Sequence, residues 1–293
     1  MIPNNNLSVL PWYTSIDQQN ARKWWIYGRV YPLFTPAGFL LPFQILLDYN
    51  ANPSMSSCVL YEAKTNTVVD SSVAAKMNDT GFAFKQFSEL GYTVAVYPGM
   101  LPAFTSLANG QYYLQITING TNYFSEIFTV VNDIAPYLKI EWWDVGDFTM
   151  DAGTIVYTNP TFKNVLYLQS DIAKPEYTFD EEGETRDGYF FPIKQISEKK
   201  YRFSFLASEY ILDVMRLIRM ADFAKITKND QTYNLDTFLI TPEWENNGDV
   251  AAVDAEFNTS TVAKKIGRGY IQTFGADYND DFNNDFNNQE QNV

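Results

Sequence analysis

The chain has 293 residues, with 21 Lys and Arg against 35 Asp and Glu, and so a net charge of −14; it has no histidine and one cysteine. Those counts exclude Ser-His-Asp and Cys-His nucleophile systems, His-ligated metals, an intramolecular disulfide and a cysteine-based zinc site. The acidic balance repels phosphates and anionic lipid, so neither nucleic acid nor a membrane is expected as a partner.

A length of 293 residues suits two ordinary domains. The 22 Phe, 20 Tyr and 6 Trp favour strands over helices. The fold class expected is mainly β: two β-sandwich or barrel-like domains, the first immunoglobulin-like, the second with one flanking α-helix. The expected boundaries are residues 1–32 for an N-terminal arm and aromatic segment and 33–132 for the Ig-like sandwich. Residues 133–270 form the second β domain, with its helix at about 208–222, and residues 271–293 form an Asn/Asp-rich tail.

The first residues, MIPNNNLSVLPWYTSID, have no basic region followed by an apolar one, so no signal peptide is read there. No apolar run reaches the length of a membrane span, and synthesis in a cytoplasm is expected. Residues 1–14 read as a polar, extended arm that contains Trp12. Ser15 and Gln18 have the spacing of a capping box, which would open a short helix. Trp24, Trp25 and Tyr27 follow as an aromatic cluster. It serves either as ordinary core or as an interface anchor, because aromatic side chains dominate binding hot spots.

Short strands are read at Phe43 to Leu47, Ser57 to Tyr61, Thr67 to Asp70 and Gly91 to Tyr97. Cys58, beside Val59 and Leu60, reads as a small buried strand residue. The clearest local signal lies in QYYLQITINGTNYFSEIFTVV, residues 111–131. Asn119-Gly120 between alternating apolar runs predicts a two-residue type I′ turn, since both central residues need positive φ. The turn sets the register: Ile118 opposite Thr121, Ile116 opposite Tyr123, Leu114 opposite Ser125 and Tyr112 opposite Ile127. The other, more polar face pairs Thr117 with Asn122, Gln115 with Phe124 and Tyr113 with Glu126. Tyr113 and Phe124 on that face are expected to dock a neighbour and to be more buried in an assembly than in the isolated chain. Asn132-Asp133 marks the joint to the second domain.

In the second half, Leu138 to Asp144, Lys163 to Leu168 and Tyr201 to Leu206 read as strands. The acidic run Asp180-Glu181-Glu182-Gly183-Glu184 lacks the spacing of a calcium loop and reads as a solvated loop. Ser208 is a candidate N-cap for a helix whose stripe is Ile211, Val214, Met215, Ile218 and Ala221. Strands follow at Phe223 to Thr227, Thr232 to Thr241 and Val250 to Phe257. Lys264-Lys265, with Arg268, reads as a loop or connector. The tail repeats Asp281-Phe282-Asn283-Asn284 as Asp285-Phe286-Asn287-Asn288. It has too little apolar surface to form a core, which leaves Phe282 and Phe286 as candidate contacts.

Trp142, Trp143 and Trp244 lie among Glu141, Asp144, Glu243 and Glu245. Acids beside aromatic platforms suit a glycan site, or a glycosidase if two carboxyls converge across a cleft. The same pattern fits a strand with one Trp inward and the other outward. No cofactor, metal ligand set or catalytic residue is read from the sequence.

The phrases LPWYTSIDQQNARKWW, YGRVYPLFTPAGFLLPFQI, EGETRDGYFFPIKQISEKKYRF and FNTSTVAKKI resemble a family of uncharacterised virion proteins. Tailed phages and prophages of gut Bacteroidota, including crAss-like phages, encode this family. The resemblance runs over most of the chain and implies a non-enzymatic structural protein of the tail or neck, such as a ring, adaptor or distal-tail component. The implied partners are copies of itself in a homo-oligomeric ring and other virion proteins, and the implied location is the virion. A β domain with one flanking helix also resembles the tail-tube and hub fold. The alternative implied is a carbohydrate- or receptor-binding β-sandwich protein of the tail or cell surface, with a glycan receptor as partner.

Overall fold

A computed structural model describes residues 8–16, 33–99, 107–146, 149–151, 154–157, 159–186, 188–244, 250–259 and 263–266. Of these, 60% are strand and 10% helical, so the chain is mainly β. Among the described residues, no helix is long and apolar enough to cross a membrane.

The first half holds β1 (Trp12–Tyr13), β2 (Phe34–Pro36), β3 (Phe43–Asp48), β4 (Met55–Glu62), β5 (Thr67–Asp70) and helix α1 (Val73–Asp79). It continues with β6 (Ala83–Phe87), β7 (Tyr92–Tyr97), β8 (Gly110–Ile118), β9 (Thr121–Ser125) and β10 (Phe128–Val131). The second half holds β11 (Tyr137–Trp143), β12 (Thr149–Asp151), β13 (Thr154–Val156), β14 (Asn164–Gln169), β15 (Glu176–Arg186) and β16 (Tyr189–Ser208). Helix α2 (Glu209–Met215) follows, then β17 (Phe223–Lys228), β18 (Gln231–Trp244), β19 (Val250–Thr259) and β20 (Ala263–Ile266).

The strands β3, β7 and β6 form a three-stranded antiparallel sheet. Both of its faces are buried, which explains why Phe43 to Leu47 shows no apolar alternation. Phe43, Ile45, Leu47, Ala95 and Tyr97 join the main core. On the other face, Leu46, Val94 and Val96 are covered by Tyr157 and Phe162, which arrive from the second half of the chain. The Tyr157 N–H donates to Gln44 Oε1 at 2.6 Å and fixes that cover in place.

A 15-stranded sheet runs through both halves. The short strand β2 carries it across: it lies parallel to β10 on one side and antiparallel to β14 on the other. The Asn132-Asp133 stretch is therefore bridged by sheet hydrogen bonds just before it, and one apolar cluster draws side chains from both halves.

The β8–β9 hairpin has the expected turn, with φ of 51° at Asn119 and 80° at Gly120. Asn119 also exchanges bonds with Ser54, through its N–H and its Oδ1, which ties the turn to the start of β4. Register follows expectation from Ile118–Thr121 to Gln115–Phe124. Beyond Ser125 it slips: Tyr112 lies opposite Phe128, where Ile127 was expected. The Glu126 N–H turns away to Pro11 O, and the Ile127 N–H donates to Glu126 Oε1 at 2.9 Å. Burying that carboxylate takes the backbone out of the simple ladder.

Three further expectations are corrected. Residues 8–13 are no exposed arm: β1 adds antiparallel to β9, and every one of them is buried. The acidic run 180–184 is no loop: it lies within β15, paired with β16 along eleven residues. Lys264-Lys265 is no connector: it lies in β20, paired with Lys194 to Ser197 of β16. Helix α2 starts where expected, but a 3₁₀ turn at Arg216–Arg219 replaces its last α-helical turns. Ser208 takes the N-cap position in extended geometry without a side-chain capping bond. Ile211, Val214, Met215 and Ile218 are buried as a stripe. Helix α1 has no counterpart among the expected elements.

Candidate functional site

Two features stand out from the packed body: a lysine and aromatic groove on β11, and a long ribbon formed by β15 and β16. Both follow from strand alternation.

Along β11, Leu138, Ile140 and Trp142 point into the core, while Lys139, Glu141 and Trp143 point outward. The register places Lys225 opposite Glu141 and Phe223 opposite Trp143. Glu141 is clamped between two ammonium groups, with Lys139 Nζ at 2.9 Å and Lys225 Nζ at 3.0 Å. Burial alone would raise the pKa of this carboxyl. The hydrogen bonds from Lys139 and Lys225 outweigh that and hold it below its ordinary range. Beside it, the Tyr167 phenol is pushed up, first by burial and then by the Glu141 charge.

Trp143 stacks on Phe223 with centroids 5.5 Å apart and an interplanar angle of 17°. Lys163 Nζ lies 4.2 Å from the centre of the Trp143 ring, within cation–π range. A groove of about 480 Å³ runs alongside, between Phe39, Pro98 and Gly99 of the first half and Lys139, Glu141 and Lys163 of the second. Lys139 and Lys225 are thus paired with Glu141, and Lys163 covers the Trp143 ring. Asp144 follows Trp143 and Asp222 precedes Phe223, and they accept the backbone N–H of Asp222 and Val145 respectively.

The ribbon is the other feature. β15 pairs only with β16 among the described residues, so its outer edge carries no strand. Residues 189–192 of β16 likewise pair only with β15 among the described residues, and the end of the hairpin projects beyond β19 and β20. Tyr177 and Phe179 share a face with Tyr201, which is buried against Phe257. On the ribbon that face loses its cover: Phe179 is 74% exposed, while Tyr189, opposite Arg186 near the tip, lies on the other face and is 72% exposed. Phe190 is exposed as well. The opposite face of the sheet carries an ion-pair chain, Glu176–Arg202–Glu256–Lys200, with Arg202 3.0 Å from Glu176 and 2.7 Å from Glu256. Such exposed pairs contribute little stability.

The residues singled out from sequence end up in different places. Trp12 is buried on Phe43, with ring centroids 4.7 Å apart, so it is core rather than a contact for another molecule. Tyr113 is 3% exposed, stacked on Tyr61 at 5.1 Å and packed with Ala63 and Ile127. Phe124 is half-buried against the same cluster. The chain itself covers Tyr113, so no further burial on assembly is available to it. Trp24, Trp25, Tyr27, Phe282 and Phe286 lie outside the described residues, as does the capping-box stretch after Ile16.

The three tryptophans considered as a glycan platform do not converge. Trp142 is 1% exposed and faces the core. Trp143 faces out. Trp244 lies on β18 eight residues beyond the level of Phe223, roughly 26 Å of extended strand. Glu243 goes with Trp244, and Glu245 lies outside the described residues. Among the described residues, no three His, Cys, Asp or Glu side chains cluster as metal ligands do. Lys139, Lys163, Lys225 and Phe223 had not been singled out, and nor had Tyr177, Phe179, Tyr189 and Phe190. For the ribbon a signal existed in the alternation Tyr177-Thr178-Phe179-Asp180. For the groove none did, because it depends on which strands become neighbours.

Compared with known proteins, the chain matches no family model and no curated relative.

Proposed function

We propose that the chain is a non-enzymatic structural protein of a tailed phage particle. It is a ring, adaptor or distal-tail component of the tail or neck, and it works by self-assembly and by docking to other virion proteins. In this reading the first half is an Ig-like sandwich and the second a β domain flanked by α2. The single observation that carries the reading is the β15–β16 ribbon. A monomer gains nothing from holding Tyr177 and Phe179 in water on the edge strand, and Tyr189 and Phe190 in water on the hairpin end beyond β20. Exposed aromatics on an unpaired edge are instead a template for another chain. A head-to-tail contact between an arm and a different surface closes into a ring when the rotation between copies allows it.

Sedimentation velocity of the full chain tests this, alongside a Phe179→Ser/Phe190→Ser variant. A discrete oligomer from the parent chain and a folded monomer from the variant are expected. A parent chain that stays monomeric at every concentration, and is missing from purified particles, would sink the reading.

A second reading, a carbohydrate- or receptor-binding protein of the tail or cell surface, is favoured by one observation: the outward Trp143–Phe223 stack beside a groove. Glycan binding abolished by Trp143→Ala supports it. Binding that survives the substitution removes this face from the site.

A further inference from the structure

Between its tip and the body, the ribbon is three strands wide: β15, β16 and β20. Among the described residues, β15 and β20 each pair only with β16, so this strip has an open strand edge on either side. The two edges differ in charge. β15 carries five acids against one arginine, and β20 carries two lysines and no acid.

The register sets these charges in rows. Asp180, Ile196 and Lys264 form one row across the strip, and Glu181, Gln195 and Lys265 form the next. Phe179, Ser197 and Ala263 flank them on one side, and Glu182, Lys194 and Ile266 on the other. In each charged row β16 stands between the acid and the lysine. Asp180 forms no ion pair among the described residues. Glu181 accepts from the uncharged Gln195 Nε2 at 2.8 Å. Both carboxylates therefore keep their charge at an edge that has no strand beside it.

These rows select among the ways in which two copies can meet edge to edge. A two-fold axis would bring β15 against β15 or β20 against β20, and like charges opposite one another destabilise a sheet. A head-to-tail contact sets β20 of one copy beside β15 of the next and joins opposite charges. Both strands run antiparallel to β16, so they point the same way, and a second copy in the same orientation adds as a parallel pair. With no slip, each row continues into the next copy, and both lysines come opposite acids. The smallest slip that keeps both copies the same way up is two residues. It leaves Lys264 opposite Glu182 in one direction and neither lysine opposite an acid in the other.

We infer that neighbouring copies join strand to strand, β20 of one pairing in parallel with β15 of the next, with Lys264 opposite Asp180 and Lys265 opposite Glu181. This rests on the self-assembly reading above and adds the contact surface and its register. A head-to-tail contact repeats from copy to copy, so the ribbons become one continuous sheet around a ring. Phe179, exposed in the single chain, gains Ala263 of the neighbour in its row. The charged rows set the register, so the contact weakens as salt rises.

The test reverses one edge at a time in the full chain and reads sedimentation velocity. Asp180→Lys/Glu181→Lys makes both edges basic, and Lys264→Asp/Lys265→Glu makes both acidic. Each variant alone should need a concentration roughly tenfold higher than the parent to assemble, as opposite-charge rows become like-charge rows. An equal mixture should recover assembly with the two variants alternating, because every mixed contact again joins opposite charges. A second measurement leaves these charges in place. One tagged preparation carries Glu182→Cys and a second, differently tagged, carries Ile266→Cys, and they are mixed under mild oxidation. A disulfide between the tags is expected, well above that formed when Val68→Cys, an exposed position on β5, replaces Glu182→Cys. Cys58 is fully buried and stays out of the exchange.

Variants that assemble as the parent does, a mixture no better than its components, or a between-tag signal no higher than the control each overturn the strand contact. If the parent chain still assembles in those experiments, the self-assembly reading stands. A parent chain that remains monomeric throughout overturns both.

Discussion

The Tyr13 hydroxyl donates to Glu126 Oε2 at 2.8 Å, joining residues 113 positions apart where neither has meaningful access to water. Glu126 is wholly buried, and the same carboxylate accepts the Ile127 N–H through its other oxygen. A buried carboxylate is tolerated only while its oxygens are satisfied. Tyr13→Phe keeps the ring and removes one donor, so it should cost about 1–3 kcal/mol. Equilibrium urea unfolding reads this directly, and an unchanged midpoint would show that the bond carries no weight.

Trp142 and Trp143 are adjacent in sequence and opposite in fate. Trp142→Ala empties a core site and should cost about 3–5 kcal/mol. Trp143→Ala loses a surface stack and should cost about 1–2 kcal/mol, leaving the fold intact. Thermal melts of the two variants should separate clearly. Equal destabilisation would contradict the inward and outward assignment.

Glu141 makes stability depend on pH in a defined direction. Its pKa in the folded chain lies below its ordinary value of 4.5, held there by Lys139 and Lys225. A carboxyl depressed by folding stabilises fully above its unfolded pKa, and that contribution is lost as pH falls through the folded pKa. Glu62 and Asp70 are shifted the same way, by Thr65 and Lys76 among others, so the parent chain alone does not isolate the effect. The difference in unfolding free energy between parent and Glu141→Gln does. It should be larger at about pH 7 than at about pH 3, and a pH-independent difference would refute the clamp.

Gly120 provides a clean backbone test. Its φ is +80°, and a Cβ added there meets nothing within 4 Å. Gly120→Ala should therefore cost about 1–2 kcal/mol through conformation alone. Gly146 is equally open and has no such φ, so Gly146→Ala should be close to neutral. Similar losses in both would mean that the turn is not the cause.

The strands and turn that sequence reveals are those whose cause is local. Asn119-Gly120 needs only its own two dihedrals, and the stripe of α2 needs only its own period. β15 was misread because Glu181, Glu182 and Glu184 look like a solvated loop. They are in a strand because β16 offers eleven partners in register, which no window around residue 180 contains. Trp12 was misread as an exposed arm residue because its partners, Phe43 and Ser125, are remote in sequence. The groove was invisible for the same reason: Glu141 meets Lys225 only after eighty-odd residues return the chain to the same sheet. The slip beyond Ser125 depends on Tyr13, a side chain more than a hundred residues earlier.

β16 is a single strand of 20 residues. Its outer part forms the ribbon, and its inner nine residues, Lys200 to Ser208, pair with β19 and lead directly into α2. No turn or break separates the arm from the body. The one irregularity in its pairing with β15 lies near the tip, between Glu182 and Gly183. A pull on the arm along its own axis is therefore borne in shear by all nine rows at once, instead of peeling them one by one. The arm is a tether rather than a hinge. Displacing its tip should move α2 with it, so strain applied at the contact between copies reaches the core of each.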